Sequence, residues 1–294
     1  MSVIKEAVTV KKNINQSPYW FKLFLRNKTA FFGAIIFSLL ILAAFLAPLI
    51  TPYSLDEMEP ANRLQNPSEE HFFGTDRFGR DLYTRVVYGS QISLGVGISV
   101  VIFTTFFGTI LGLLAGYYRG IDEILMRVLD GLMAFPSIIL MIAIMAVLGG
   151  NLINVIIALV IVYTPRMARV VRSAVLVQKE NQYVEAARAI GASDLRITIL
   201  HILPNCVAPI IIQATMIFAY SILSESSLSF LGVGIPPEIP SWGNILSDGK
   251  VFLRKAPWIT IFPGTTIACC VLALNMIGDG LRDMLDPKIR KKQR

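Results

Sequence analysis

Charge is what this sequence lacks. Charged residues make up 16% of its 294 positions, against about a quarter in an ordinary soluble domain. Cysteine occurs three times, at Cys206, Cys269 and Cys270, within or at the edge of apolar stretches. An odd set containing an adjacent pair excludes a disulfide framework and a zinc site, and leaves small apolar packing residues. No Gly-x-x-x-x-Gly-Lys-Ser/Thr phosphate loop occurs, so the motif that cradles ATP phosphates is missing. There is no internal repeat and no low-complexity tract.

Apolar residues are present instead, 54% of the chain. They gather into blocks of about 20, the length of helix that crosses a hydrocarbon core of about 30 Å. Six blocks fall at residues 30–50, 91–117, 131–149, 151–166, 206–232 and 256–278. The fourth is short and is expected to continue as helix through Met167-Ala-Arg-Val-Val171. The pattern predicts an all-α membrane protein with six transmembrane helices. The net charge of +7 does not imply nucleic acid, because 20 of the 27 lysines and arginines fall on one set of alternate sides and seven on the other. The richer side is cytoplasmic by the positive-inside rule, which places both termini inside. The only two histidines, His71 outside and His201 inside, then cannot share a catalytic or metal site. The first block is too long for the apolar region of a signal peptide, and Ala47-Pro48-Leu49 is a poor cleavage site, so an uncleaved anchor is expected.

Basic and aromatic residues Trp20, Phe21, Lys22, Phe24, Leu25, Arg26 and Lys28 suggest an amphipathic helix in the inner interface. Residues 51–90 form an acidic external segment, in which Asp76 and Asp81 are candidates to cap helix starts. Residues 81–88 are expected to be helical, either lying along the outer interface or forming a short helix that leads into the second block. Gly108, Gly112 and Gly116 line one helix face and permit close helix approach. Pro136 marks a kink or helix start. Arg127 and Asp130 read as a solvated i, i+3 pair, and Asp122 and Glu123 as touching either a soluble partner or only water. Ser241-Trp242-Gly243 in an outer loop reads either as a contact for a delivery protein or as an interfacial anchor. Glu225 is the one acid well inside a block. It would either face a pathway or subunit interface, or be satisfied by Ser224, Ser226, Ser227 and a partner subunit.

The segment 181–204 is stranded between apolar blocks yet rich in charge. Asn181 is placed to cap a helix beginning near Gln182, and Tyr183, Ala186, Ala187 and Ile190 fall at i, i+3, i+4 and i+7 as an apolar stripe. Glu185 and Arg188 project from the other side. Gly191 fits the left-handed position that ends a helix. Ser193 is placed to cap a second helix through Asp194 to about Leu203, which Pro204 is expected to break. Helix, tight turn and helix on the cytoplasmic face make a docking surface for a soluble partner. The plain alternative is an amphipathic interfacial hairpin.

Glu185-Ala186-Ala187, Gly191 four residues later, and Leu203-Pro204 resemble the EAA motif of ABC-importer permeases. His201-Ile-Leu-Pro-Asn205, where that motif usually carries an apolar residue first, resembles the peptide/nickel branch. So do Arg26-Asn-Lys-Thr-Ala with Ala47-Pro-Leu-Ile-Thr-Pro-Tyr53, Phe73-Gly-Thr-Asp-Arg-Phe-Gly-Arg-Asp81, and Glu225-Ser-Ser-Leu-Ser-Phe-Leu-Gly-Val-Gly234. The similarity runs from about residue 20 to residue 287, and the blocks in this order resemble the C-type permease of dipeptide and oligopeptide importers. The resemblance implies a type I ABC-importer permease fold. It also implies a coupling helix, with Tyr183, Glu185, Ala186, Ala187, Gly191, Leu203 and Pro204 at an ATPase-docking site. No cofactor is implied in this chain; ATP and Mg would be bound by two partner ATPases. A second, homologous permease would form a heterodimer with it, and an extracytoplasmic solute-binding protein would deliver cargo. Peptides are the implied cargo, with nickel, a metal chelator or a glutathione-type solute as alternatives. The expected organisation is a basic segment 1–28, an anchor 29–50, an external loop 51–90, a permease core 91–280 containing the coupling helix 181–204, and a basic tail 281–294. Two readings from other classes compete, a secondary transporter driven by an ion gradient and an anchor without a transport role. A single intramembrane acid and the lack of an inverted repeat weigh against the first; the glycine stripe and the kinked third block weigh against the second.

Overall fold

The computed structural model describes residues 27–285. Residues 1–26, which hold all but Lys28 of the amphipathic set read from Trp20 to Lys28, and the tail beyond 285 lie outside them. Among the described residues there is no strand, only one isolated bridge between Thr75 and Asp81. The helices follow from the medium: without water to satisfy backbone N–H and C=O groups, each spanning segment must close its own hydrogen bonds.

Helix α1 is Lys28–Phe45, entered through Asn27, whose side chain accepts from Ala30 N at 3.2 Å. Helix α2, Leu82–Tyr117, runs 36 residues without a break, about 54 Å at 1.5 Å per residue. Asp81 caps it, accepting from Thr84 N at 2.8 Å. Residues 81–88 therefore do lead into the second block as helix, but they do not lie along the outer interface. Those residues are the first two turns of α2, and Leu82, Thr84, Arg85, Val86 and Val87 are buried.

What buries them is the external segment folding back on itself. Asp76 caps a turn rather than a helix: its Oδ1 accepts from Phe78 N and Arg80 N, at 2.7 and 3.0 Å. Its Oδ2 pairs with Arg80 at 2.7 Å and with the buried Arg85 at 3.1 Å. Gly79 turns at φ +76°, and a Cβ there would fall 1.9 Å from the carbonyl oxygen of Glu59. Asp248 stands 3.2–3.7 Å from Arg77, Arg80 and Arg85. Burial raises its pKa, an effect that Arg77 and Arg80 oppose.

Helices α3, Arg119–Met133, and α4, Ser137–Leu148, meet at 91° across the break before Pro136. Twelve residues of α4 reach only about 18 Å, so the third apolar block is a bent pair. The described residues thus hold five helices long enough to span, or six spans if the pair counts as one. Two of the three acids of α3 are paired across to another helix, which corrects the partner read for Asp130 and the water-facing reading of Asp122; Glu123 is exposed, as expected. Asp130 meets Arg169 at 2.6 Å rather than Arg127, and Asp122 is held bidentately by Arg172. Both arginines belong to α5, Leu152–Lys179, which extends past its apolar block as expected.

Helices α2 and α5 touch along the glycine stripe. A Cβ built on Gly108, Gly112 or Gly116 would fall 2.5, 2.5 and 2.6 Å from the Cβ atoms of Met167, Val171 and Val175. After α6, Gln182–Ala189, one continuous helix runs Asp194–Phe230. Pro204 does not break it, contrary to expectation. The missing proline N–H is absorbed by a π-helical stretch, Ile197–Ile202, which shifts the ladder so that Leu203 N bonds Thr198 O; the helix then continues as α7, Leu203–Phe230. Helix α8, Trp242–Gly249, and α9, Trp258–Leu285, complete the fold. Trp242 is neither an exposed contact nor an interfacial anchor. It is fully buried, and its Nε1 donates to Val86 O at 3.0 Å.

A Gly112→Val substitution should force α2 and α5 apart at a cost of about 1–3 kcal/mol and lower the detergent melting temperature. Gly120→Ala, where a Cβ meets nothing within 4 Å, should not lower it.

Candidate functional site

The hairpin between α5 and α7 is built from its caps. Asn181 opens α6 with extended backbone, as expected, but its side chain does not cap that helix. It closes α5 instead, donating to Val177 O and Gln178 O at 3.3 and 3.2 Å. Ser193 opens the next turn, likewise without a side-chain cap. Between them Gly191 sits at φ +82°. Gly191 N donates to Arg188 O at 2.9 Å and Ala192 N to Ala187 O at 3.0 Å, the paired bonds of a Schellman turn.

The faces of α6 differ from the expected stripe. Val184 and Ala187 are buried against the protein, while Tyr183, Ala186 and Ile190 are exposed, together with Glu185 and Arg188. Ile190 is 85% and Leu195 69% exposed. The i, i+3 step from Val184 to Ala187 was a signal for the true inward face, overshadowed by the larger apolar set. Leu203 is half-buried and Pro204 exposed. Glu185 makes no ion pair among the described residues. An exposed helix with small and apolar side chains, flanked by an unpaired acid and a base, offers close approach and charge-assisted contacts to a second protein.

Two tyrosines tie the hairpin to the membrane helices. Tyr183 donates to Gln178 Oε1 at 2.8 Å and accepts from Asn205 Nδ2 at 3.3 Å. Partial burial raises its pKa, a shift the Asn205 hydrogen bond opposes. Asn205 also donates to His201 O at 2.7 Å, which gives the His-Ile-Leu-Pro-Asn run a structural purpose. Tyr117, the last residue of α2, was not singled out from the sequence. Its hydroxyl donates to Asp194 Oδ1 at 2.5 Å. Its carbonyl accepts from Lys179 Nζ at 2.6 Å, and Arg188 lies over its ring at 5.6 Å. An aromatic residue at the end of an apolar block is the only local hint of this role.

Glu225 is fully buried, so it presents no atom to a pathway or a subunit interface in this structure. It accepts from Ser229 Oγ at 2.9 Å, Ser93 Oγ at 3.1 Å and Ser226 Oγ at 3.4 Å. Of the serines expected around it only Ser226 takes part. Ser224 bonds the Tyr163 hydroxyl at 2.7 Å, and Ser227 bonds Leu223 O. Ser93 in turn accepts from Trp242 N at 3.2 Å, so the acid joins α2, α7 and α8.

A helical bundle of spanning length with an exposed polar hairpin on one face defines a membrane permease component. The family model described as "binding-protein-dependent transport system inner membrane component" matches residues 108–291, and the chain belongs to that family. A second model, the N-terminal transmembrane domain of oligopeptide transport permease C, matches residues 19–67. The chain is 51% identical over 271 residues to a dipeptide transport system permease protein of Alkalihalophilus pseudofirmus, covering 92% of this chain and 89% of the relative. It is 50% identical over 266 residues to a putative peptide transport system permease protein of Brucella abortus, covering 90% of each. It is 44% identical over 293 residues to a glutathione transport system permease protein of Shigella boydii, covering 98% and 97%. Its fold is that of a chain of the MetNI methionine ABC transporter, with a TM-score of 0.58 at 18% identity, covering 69% of this chain and 97% of that one.

Tyr117→Phe should remove the bond to Asp194 without disturbing membrane insertion. Backbone amides of residues 193–198 should then exchange with deuterium several-fold faster, consistent with loss of about 1 kcal/mol of local stability.

Proposed function

We propose that this chain forms half of the translocation pathway of an ATP-driven importer for di- and oligopeptides, and that residues 181–204 are the element through which separate ATPases drive it. The observation that carries the reading is the exposed hairpin. Its second arm is continuous with a membrane helix, and its turn rests on a glycine at φ +82°. The names of the relatives support peptides as the cargo. Two cytoplasmic ATPases would bind ATP and Mg, and this chain would hydrolyse nothing itself. A second permease would complete the pathway, and an extracytoplasmic binding protein would hand over the solute.

In this reading Tyr183, Glu185, Ala186 and Ile190 face the ATPase groove, and Gly191 sets the turn. Ala187 keys the helix to its own chain, and Leu203 and Pro204 shape the start of α7. Residues 1–28 and 281–294 form the cytoplasmic ends, 29–50 the anchor, 51–90 the external cap and 91–280 the core. Glutathione, itself a short peptide-like solute, is the second reading for the cargo, favoured by a glutathione permease relative that aligns over 98% of this chain.

Co-purification with the ATPases and uptake into vesicles test the proposal. Glu185→Lys and Gly191→Pro should insert normally and retain the partner permease. Both should release the ATPases and reduce uptake at least about tenfold, as expected when a charge-assisted contact of about 1.5–3 kcal/mol is lost. Full transport by both variants would remove the coupling role.

A further inference from the structure

Three arginines descend helix α5 at a spacing of three, Arg172, Arg169 and Arg166. The two nearer the cytoplasm each hold an acid of α3, Asp122 and Asp130. The deepest, Arg166, makes no ion pair with any described residue. It lies 14 residues along α5 from Leu152, about 21 Å from the outer end of the helix. A cation at that depth must face water, a partner or a cavity, because hydrocarbon does not solvate it.

Arg166 is instead placed over aromatic rings. Its guanidinium lies 5.8 Å from the Tyr163 centroid and 5.6 Å from that of Tyr220. The two rings stack at 6.4 Å, and the Tyr163 hydroxyl meets Ser224 Oγ at 2.7 Å. Cation–π contact positions a guanidinium while leaving its N–H donors free for an acceptor. Arg166 and Ser224 are half-buried and Tyr220 exposed, so the cluster is open on one side.

The same Ser224 lines an open groove of about 620 Å³ between α4, α7, α8 and α9, a size typical of small-molecule sites. Ser137, Ser226 and Ser227 also line it. Ser224 thus links this pocket to the tyrosine pair under Arg166, the one arginine of the three without a carboxylate among the described residues.

We propose that Arg166, set by Tyr163 and Tyr220, is a waypoint for the carboxylate terminus of the peptide as it crosses, with the Ser224 side offering hydroxyls to the peptide backbone. A planar fork suits a carboxylate. The tyrosine faces keep it oriented without neutralising it, so the site can receive an anion and release it. This rests on the peptide-import reading above.

The test uses the whole importer, both permeases, ATPases and binding protein, in proteoliposomes with radiolabelled dialanine and tetraalanine. Arg166→Gln should co-purify with all its partners and keep binding-protein-stimulated ATP hydrolysis within about twofold. Uptake should fall at least about tenfold, the loss expected for one charge-assisted contact. Arg166→Lys, which keeps the charge but loses the fork, should recover part of it. Unchanged uptake in Arg166→Gln would overturn the waypoint alone. Loss of the second permease on purification would also overturn it, showing that an acid of that subunit is the true partner. Parallel loss of hydrolysis and uptake would assign Arg166 to coupling instead. A wild-type importer that moves neither peptide would overturn both the cargo reading and the waypoint.

Discussion

The contact on which the rest depends is the approach of α2 to α5 along Gly108, Gly112 and Gly116. Lipid tails are as apolar as leucine, so no hydrophobic gain drives two helices together in a membrane; close packing must do it. Removing three β-carbons lets Met167, Val171 and Val175 fill the space. Because α2 is about 54 Å long, that one seam fixes parts at both its ends. At the outer end it presents Asp81 and Arg85 to the external cap and Ser93 to Glu225. At the inner end it presents Tyr117 to the hairpin. The external motif, the buried acid and the polar hairpin are three attachments to one rod.

The seam also orders the polar groups. Charges inside this bundle have to be justified locally, and apart from Arg166, which lies over two tyrosine rings, the structure does so in three ways. Glu225 is met by serine hydroxyls from two helices. Arg169 and Arg172 are met by carboxylates of α3, whose amphipathic face turns them toward α5. Asp76 and Arg85, outside the core, are buried together under the folded external segment. The bend of 91° at Pro136 belongs to the same scheme, since it lets α3 reach α5 with its acids while α4 enters the bundle.

Much of this was legible from residue spacing. The glycine period of four, the left-handed glycine at 191 and the length of the apolar blocks are local properties, and local rules read them correctly. Three features were not legible for a physical reason. Pro204 obeys a rule that tertiary context overrides, because a π-helical register supplies what the missing N–H removes. Periodicity reports that an apolar stripe exists but not whether it meets its own core or another protein. Hence Val184 faces inward and Ile190 outward. Tyr117 and Trp242 act through partners 77 and 156 positions away, and nothing in their neighbourhoods announces those partners.

The continuity of Asp194–Phe230 has a mechanical meaning. A hairpin joined to the membrane by a loop could move without moving anything else. Here the second arm is the inner end of a shaft of 37 residues, about 55 Å long. A tilt of about 5° imposed at the inner end would swing the outer end by about 5 Å over that length, roughly one helical turn. The residues carried at the far end are Ser224 to Ser229, including the acid that clasps α2 and α8. An angular input on the hairpin would thus reach the opposite end of the shaft as a displacement comparable with the spacing of the hydroxyl contacts there.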